Sequence, residues 1–209
     1  YLLITALLLC FPGCETDDGT SGESNESNSE NNSILFSEDF ESTVNWYYNS
    51  GIYTPFLASP GANGSDTCLI ISGGNSTIYD VIYTDIGAEI APAQISFYAM
   101  SGSTTYDDAV FSVVDSNYYF LFMCWFDMYG YITVQDSNGT QQVMTYSAAT
   151  WYKIEFKNIN WSSHTYDFYV NGALRISGVT FWQNYDNIRY VQFGNYHDST
   201  TALDEIIMK

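Results

Sequence analysis

The chain is predicted to fold as an all-β, two-sheet antiparallel β-sandwich. Three observations predict it. From Ile34 onward, short apolar or alternating runs recur at fairly regular spacing; clusters of Gly, Asn, Asp and Ser separate them; and no helical apolar period lasts beyond one or two turns. Many short strands with regular turn signals are the pattern of sandwiches and barrels.

The expected strands are, in order, 34–40, 52–57, 67–72, 77–86, 92–100, 108–115, 117–127, 131–136, 141–146, 151–159, 165–172, 188–195 and 202–208. In 92–100, Ile95 and Phe97 oppose Ser96 and Tyr98, as a strand with one buried face requires. In 117–127, Tyr119, Leu121, Met123 and Trp125 alternate with Phe120, Phe122, Cys124 and Phe126, so both faces are apolar. Asp127-Met128-Tyr129-Gly130 and Asp136-Ser137-Asn138-Gly139 carry turn chemistry on either side of 131–136. In 165–170, Tyr166, Phe168 and Val170 alternate with Thr165, Asp167 and Tyr169, and Asn171-Gly172 then supplies a tight hairpin turn.

The stretch His164–Phe181, HTYDFYVNGALRISGVTF, resembles the penultimate hairpin of the concanavalin A-like lectin/glucanase superfamily in its laminin G-like branch, where such a strand is followed by a short strand and an aromatic residue. WYKIEFKNIN before it, IRYVQFGN and ALDEIIMK after it, and the opening ILFSEDFES with Trp46 extend the resemblance over about residues 34–209. The resemblance implies a jelly-roll sandwich. It leaves function open, because lectins, glycosidases, lyases and spacer domains share that fold.

Charge narrows the partners. Twenty-four acidic residues face five basic ones, giving a formal net charge of −19. Nucleic acid is not expected, since binding it rests on neutralising phosphates with Lys and Arg. Anionic polysaccharide is disfavoured unless a cation intervenes, and the same charge also serves solubility. Cys68 and Cys124 lie in apolar strand runs, where free cysteine packs as a small hydrophobe. In an exported protein a disulfide between them is allowed as the lesser alternative.

Residues 1–14 read as the apolar part of a signal peptide, YLLITALLL, ending in Phe11-Pro12-Gly13-Cys14. That ending resembles a bacterial lipobox and makes Cys14 the lipidated residue, preferred over Cys10 because small Gly13 precedes it; a short buried strand is the alternative. Residues 15–33 contain no aliphatic or aromatic residue and are expected to be a disordered acidic tether. The cluster Glu15-Thr16-Asp17-Asp18 resembles the export signal of surface lipoproteins of Bacteroidota, or is a generic acidic linker. The expected localisation is therefore export, a lipid anchor in the outer membrane and exposure at the cell surface.

Three places can hold chemistry. In jelly-roll carbohydrate-binding modules that the sequence resembles, acidic residues of the first and last strands share a structural calcium. The matching residues are Asp39, Glu41 and Asp204, with Glu205 beside them, and a solvated sheet edge is the alternative. An aromatic platform for extracellular glycan is expected from Tyr98, Tyr119, Trp125 and Tyr190, which alternation sets opposite core residues, unless loops cover that face. Catalysis has less support. The Glu-x-Asp-x-x-Glu motif of the laminarinase-like members is absent, Asp107-Asp108 and Asp204-Glu205 are adjacent pairs facing opposite ways, and His164 and His197 sit in loops without a lyase motif. The expectation is a non-catalytic carbohydrate-binding domain, with an adhesion or spacer domain contacting neighbouring surface proteins, or a polysaccharide hydrolase or lyase, as alternatives.

Overall fold

The computed structural model describes residues 33–42, 45–48, 51–74 and 81–209. The leader with Cys10 and Cys14, the tether up to residue 32, and the start of the strand expected at 77–86 lie outside the described residues. Fourteen strands are found among those described, in two antiparallel sheets.

The larger sheet holds β1 (Phe36–Glu38), β2 (Tyr53–Ala58), β3 (Cys68–Gly73), β5 (Ile95–Ser101), β10 (Tyr152–Asn160), β11 (Thr165–Val170), β12 (Ala173–Thr180) and β14 (Ser199–Met208). Its order is β12-β11-β10-β5-β14-β3-β2, with β1 added along the second half of β14. The other sheet holds β4 (Ile82–Ile90), β6 (Asp108–Val114), β7 (Phe120–Phe126), β8 (Tyr131–Asp136), β9 (Gly139–Thr145) and β13 (Ile188–Gly194), in the order β4-β13-β6-β7-β8-β9. Thirteen of these strands match the expected runs. The fourteenth, β12, is the return strand of the Asn171-Gly172 hairpin; its exposed pattern lacks a clean apolar period because it forms the sheet edge.

The strands form where alternation can bury one face. Phe97 of β5 stacks on Phe111 of β6 across the sandwich, with centroids 3.8 Å apart. Phe156 and Phe122 continue this aromatic core to Tyr166 and Phe181. Each such ring removed from water contributes about 1.5–3 kcal/mol, so this row is the main spine of the fold. Cys68 and Cys124 are both free and buried, one in each sheet. β2 ends the larger sheet and carries Pro55, a residue without an N–H that edge strands tolerate.

Two irregularities position side chains outside the core. Register shifts in β7 between its pairs with Val113 and Val114, where Phe122 and then Phe120 are the partners, leave Leu121 as the extra residue of a bulge. The loop Ser59–Thr67 between β2 and β3 folds back onto itself through Gly61 N–H to Ser65 carbonyl and Ser65 N–H to Ala62 carbonyl bonds.

Candidate functional site

The outer face of the six-stranded sheet is built by the same alternation that builds the core. Phe122, Cys124 and Phe126 point inward and are buried, so Met123 and Trp125 point out and remain half-buried. Cross-strand register sets Ser112 and Gln135 beside Met123, and Thr133 beside Trp125. Two adjoining hollows of about 270 and 390 Å³ meet at Trp125. Asp107, Val110, Met123, Trp125 and Tyr196 line the first; Asp107, Trp125, Asp127, Tyr129, Thr133, Thr140 and Gln142 line the second.

The walls are held from behind. Asp127 is 5% exposed and accepts from four donors: the Tyr129 and Tyr131 N–H groups at 3.0 and 2.8 Å, the Thr133 hydroxyl at 3.0 Å and Gln142 Nε2 at 2.9 Å. This carboxylate is the hub of the β7–β8 turn. Asp107 Oδ1 accepts the Met128 N–H at 3.0 Å, while its backbone N–H meets His197 Nδ1 at 3.1 Å and its carbonyl accepts the Tyr196 N–H at 3.1 Å. The His197 ring stacks on Tyr106 with centroids 5.3 Å apart. The loops before β6 and after β13 are thus laced together beside Trp125.

Next to Asp107, Asp108 turns the other way and is fully buried. Neither of its carboxylate oxygens has a hydrogen-bond partner of normal geometry, although the Ser101 and Ser199 hydroxyls are near. Burial pushes its pKa up to about 7. The adjacent pair does face two ways, as expected, and the outward member lies in the cleft.

The four aromatic residues expected as a platform divide into three places. Trp125 is at the centre of the outer face. Tyr190, on β13 of the same sheet, stacks on Tyr118 (4.8 Å, 6°) and meets the edge of Tyr83, on which Tyr47 stacks. Tyr119 stacks instead on Tyr185, because the Leu121 bulge ends the alternation linking it to Trp125. Tyr98 lies on β5 of the eight-stranded sheet, its outer face shared with Lys153, so it does not join Trp125 and Tyr190. There, Glu155 is buried between Lys153 and Lys157, with oxygen–nitrogen distances of 3.5 and 2.9 Å.

The three acidic residues expected at a metal also separate. Glu41 receives the Ser65 hydroxyl at 2.5 Å and the Asp66 and Thr67 N–H groups at 2.9 and 3.2 Å, contacts that hold its carboxyl below the usual range, with the Ser65 bond first. Asp204 grips the same loop from inside, accepting the Ala62 N–H at 2.7 Å, and burial raises its pKa to about 6. Asp39 is exposed, accepts the Glu41 N–H at 3.1 Å and lines a separate shallow groove with Glu38 and Glu205. Among the described residues no three His, Cys, Asp or Glu side chains gather to hold a metal ion. What converges on the loop is a set of oxygens: a Cβ built on Gly61 meets Asp204 Oδ2 at 2.5 Å, Ser65 Oγ at 2.7 Å and the Thr67 carbonyl. One carboxylate, a hydroxyl and a carbonyl are hard oxygen donors of the type calcium takes; Glu41 grips the same loop through Ser65, Asp66 and Thr67, and Asp39 lies apart.

Asp107, Asp127, Tyr129 and Tyr196 are cleft residues not expected from the sequence, because they lie in loops where alternation gives no direction, and Gln142 is in the middle of β9, whose half-exposed polar run shows no apolar face. His164 faces Asp186 at 3.1 Å away from these residues' hydrogen-bond network, and His197 is in it only as a partner of the Asp107 backbone.

No known family model and no curated protein matches the chain. Solved structures do. A sialidase matches with TM-score 0.59 at 11% identity over 75% of this chain, which spans only 17% of the sialidase. A carbohydrate esterase from Shiga toxin-encoding bacteriophage phi24B matches with TM-score 0.59 at 12% identity, covering 84% of this chain and 97% of that one. A laminarinase from Flavobacterium sp. UMI-01 matches with TM-score 0.53 at 11% identity, covering 84% and 99%. These likenesses show the fold, a concanavalin A-like jelly roll.

Proposed function

We propose that this domain is a non-catalytic carbohydrate-binding module whose glycan lies on the outer face of the six-stranded sheet, over Trp125. The observation that carries the reading is the half-exposed Trp125 ring between two hollows whose polar walls are fixed in advance. An indole face packs on the apolar C–H face of a sugar ring, while Thr133, Thr140, Gln142 and the Tyr129 and Tyr196 hydroxyls supply donors and acceptors for its hydroxyls. Pre-set walls reduce the ordering cost of binding. The esterase and laminarinase that share the fold are both named for carbohydrate chemistry, which agrees with this reading.

In this proposal Cys14 carries the lipid, residues 15–33 form the tether, and the module stands on the outer face of the outer membrane. Calcium is the proposed structural ion at the Ser59–Thr67 loop, held by Glu41 and Asp204. A hydrolase reading has one observation in its favour, that Asp107 and Asp127 line one hollow. Asp127 is already committed to four donors, so it suits the role of a fixed wall better than that of a proton acceptor.

The test is a glycan array of residues 34–209 and of its Trp125→Ala variant, followed by calorimetry on the hits. At least tenfold weaker binding by the variant, with an unchanged melting temperature, is expected. Unchanged affinity would move the site elsewhere, and reducing-end release from a bound glycan would favour the hydrolase.

A further inference from the structure

The charges around the cleft point further than its shape, to the class of sugar it takes. We infer that the Trp125 cleft selects against anionic saccharides, and that Asp107 is the residue that sets this selection. The inference rests on the glycan-binding reading above.

Asp107 lines both hollows, and Asp127 lines one. The two carboxylates are not equivalent. Asp127 has its charge spread over four donors, whereas Asp107 uses Oδ1 for Met128 N–H, and its Oδ2 has no hydrogen-bond partner among the described residues. Beside an apolar indole, that oxygen is the free acceptor a ligand meets.

No lining residue is cationic. The five basic side chains of the chain are placed elsewhere or engaged. Arg189 is on β13, but its Nε and Nη2 are bound to the two oxygens of Asp85 at 2.7 and 2.9 Å. Lys153 and Lys157 are on β10, Arg175 is on β12 and Lys209 follows β14, all in the other sheet. A uronate or sulfate entering the cleft therefore loses its water, meets two like charges and finds no counter-ion. A neutral sugar keeps its hydroxyl contacts, and an amino sugar adds an ammonium group attracted by Asp107 and by the faces of Trp125 and Tyr129.

Two unit charges about 4 Å apart differ from a neutral pair by about fivefold in affinity even at the dielectric constant of bulk water, so fivefold is the lower bound here, and salt weakens the effect. The probes are cellohexaose and laminarihexaose, each with its 6-oxidised uronate form, and a chitosan hexamer, measured by calorimetry at low and high salt on wild type and Asp107→Asn. Asn keeps the oxygen that accepts from Met128, and circular dichroism checks the fold. The uronate form is expected to bind at least about fivefold more weakly than its neutral parent, with the gap narrowing in salt and in D107N, and the chitosan preference falling in D107N. Equal or tighter binding of the uronate form, or a gap unchanged in a folded D107N, overturns the inference while leaving glycan binding intact. Failure of wild type to bind any hexamer overturns the glycan reading, and this inference with it.

Discussion

The Tyr53 hydroxyl donates to the Asn195 carbonyl at 3.0 Å and accepts the Asn195 N–H at 3.3 Å, both buried, so one side chain on edge strand β2 satisfies both backbone groups of a residue in the opposite half of the sandwich. Asn195 passes the link on. Its side chain accepts from Ala109 N–H and the Thr201 hydroxyl, and donates to the Gly73 and Ser199 carbonyls. Removing the hydroxyl leaves buried backbone groups unpaired. Tyr53→Phe is expected to cost about 1–3 kcal/mol, read by urea unfolding. Because Tyr196 follows immediately, the variant is also expected to weaken glycan binding more than an equally destabilising change in the Phe122 core.

Asp108 makes stability depend on pH in an uncommon direction. Its pKa, raised to about 7 by burial, lies above the ordinary carboxylate value near 4, so the folded state holds the proton over that interval. The stability it contributes is full below about pH 4 and is lost as pH rises through 7. At about 1.4 kcal/mol per tenfold change in proton affinity, the total is of the order of a few kcal/mol. Asp108→Asn is expected to raise the melting temperature at pH 8 and to flatten the slope between pH 4 and 8. A slope that survives in this variant would belong to Asp204, shifted the same way to about 6.

Calcium is expected to act on the Ser59–Thr67 loop. An ion that binds only the folded state adds about 2.7 kcal/mol at a hundredfold excess over its Kd, so millimolar calcium should raise the melting temperature and chelator should reverse it. Glu41→Gln and Asp204→Asn are each expected to abolish the shift, whereas Asp39→Asn leaves it in place. A shift that survives both of the first two variants would remove the ion from this loop.

Neither thiol should be accessible. Burial is the first cause raising the Cys68 pKa, to about 11, and burial alone raises that of Cys124. The folded domain is expected to be inert to a thiol reagent at pH 8 until it is unfolded, when two thiols appear per domain. A reducing agent should leave the melting temperature unchanged.

The strands were legible because one buried face imposes period two on residues such as Tyr166, Phe168 and Val170, and because Asn171-Gly172 can hardly be anything but a hairpin. Which sheet a strand joins was not legible. Alternation tells which way Tyr98 and Trp125 point relative to their own neighbours, but a pairing between strands far apart in sequence places β5 beside β14 in one sheet, while β7 pairs with its neighbour β6 in the other. A single bulge residue, Leu121, was enough to detach Tyr119 from the face of Trp125. That Asp107 and Asp127 share a cleft with Trp125 was not legible for another reason. Their directions are fixed by turn hydrogen bonds to Met128, Tyr129 and Tyr131, and local apolar pattern carries no record of those bonds.

Pro55 has a consequence at the scale of many molecules. An incoming strand that tried to extend the larger sheet past β2 would find a missing donor in the ladder. That margin therefore resists pairing with a second copy, and the excess of negative charge adds mutual repulsion between copies.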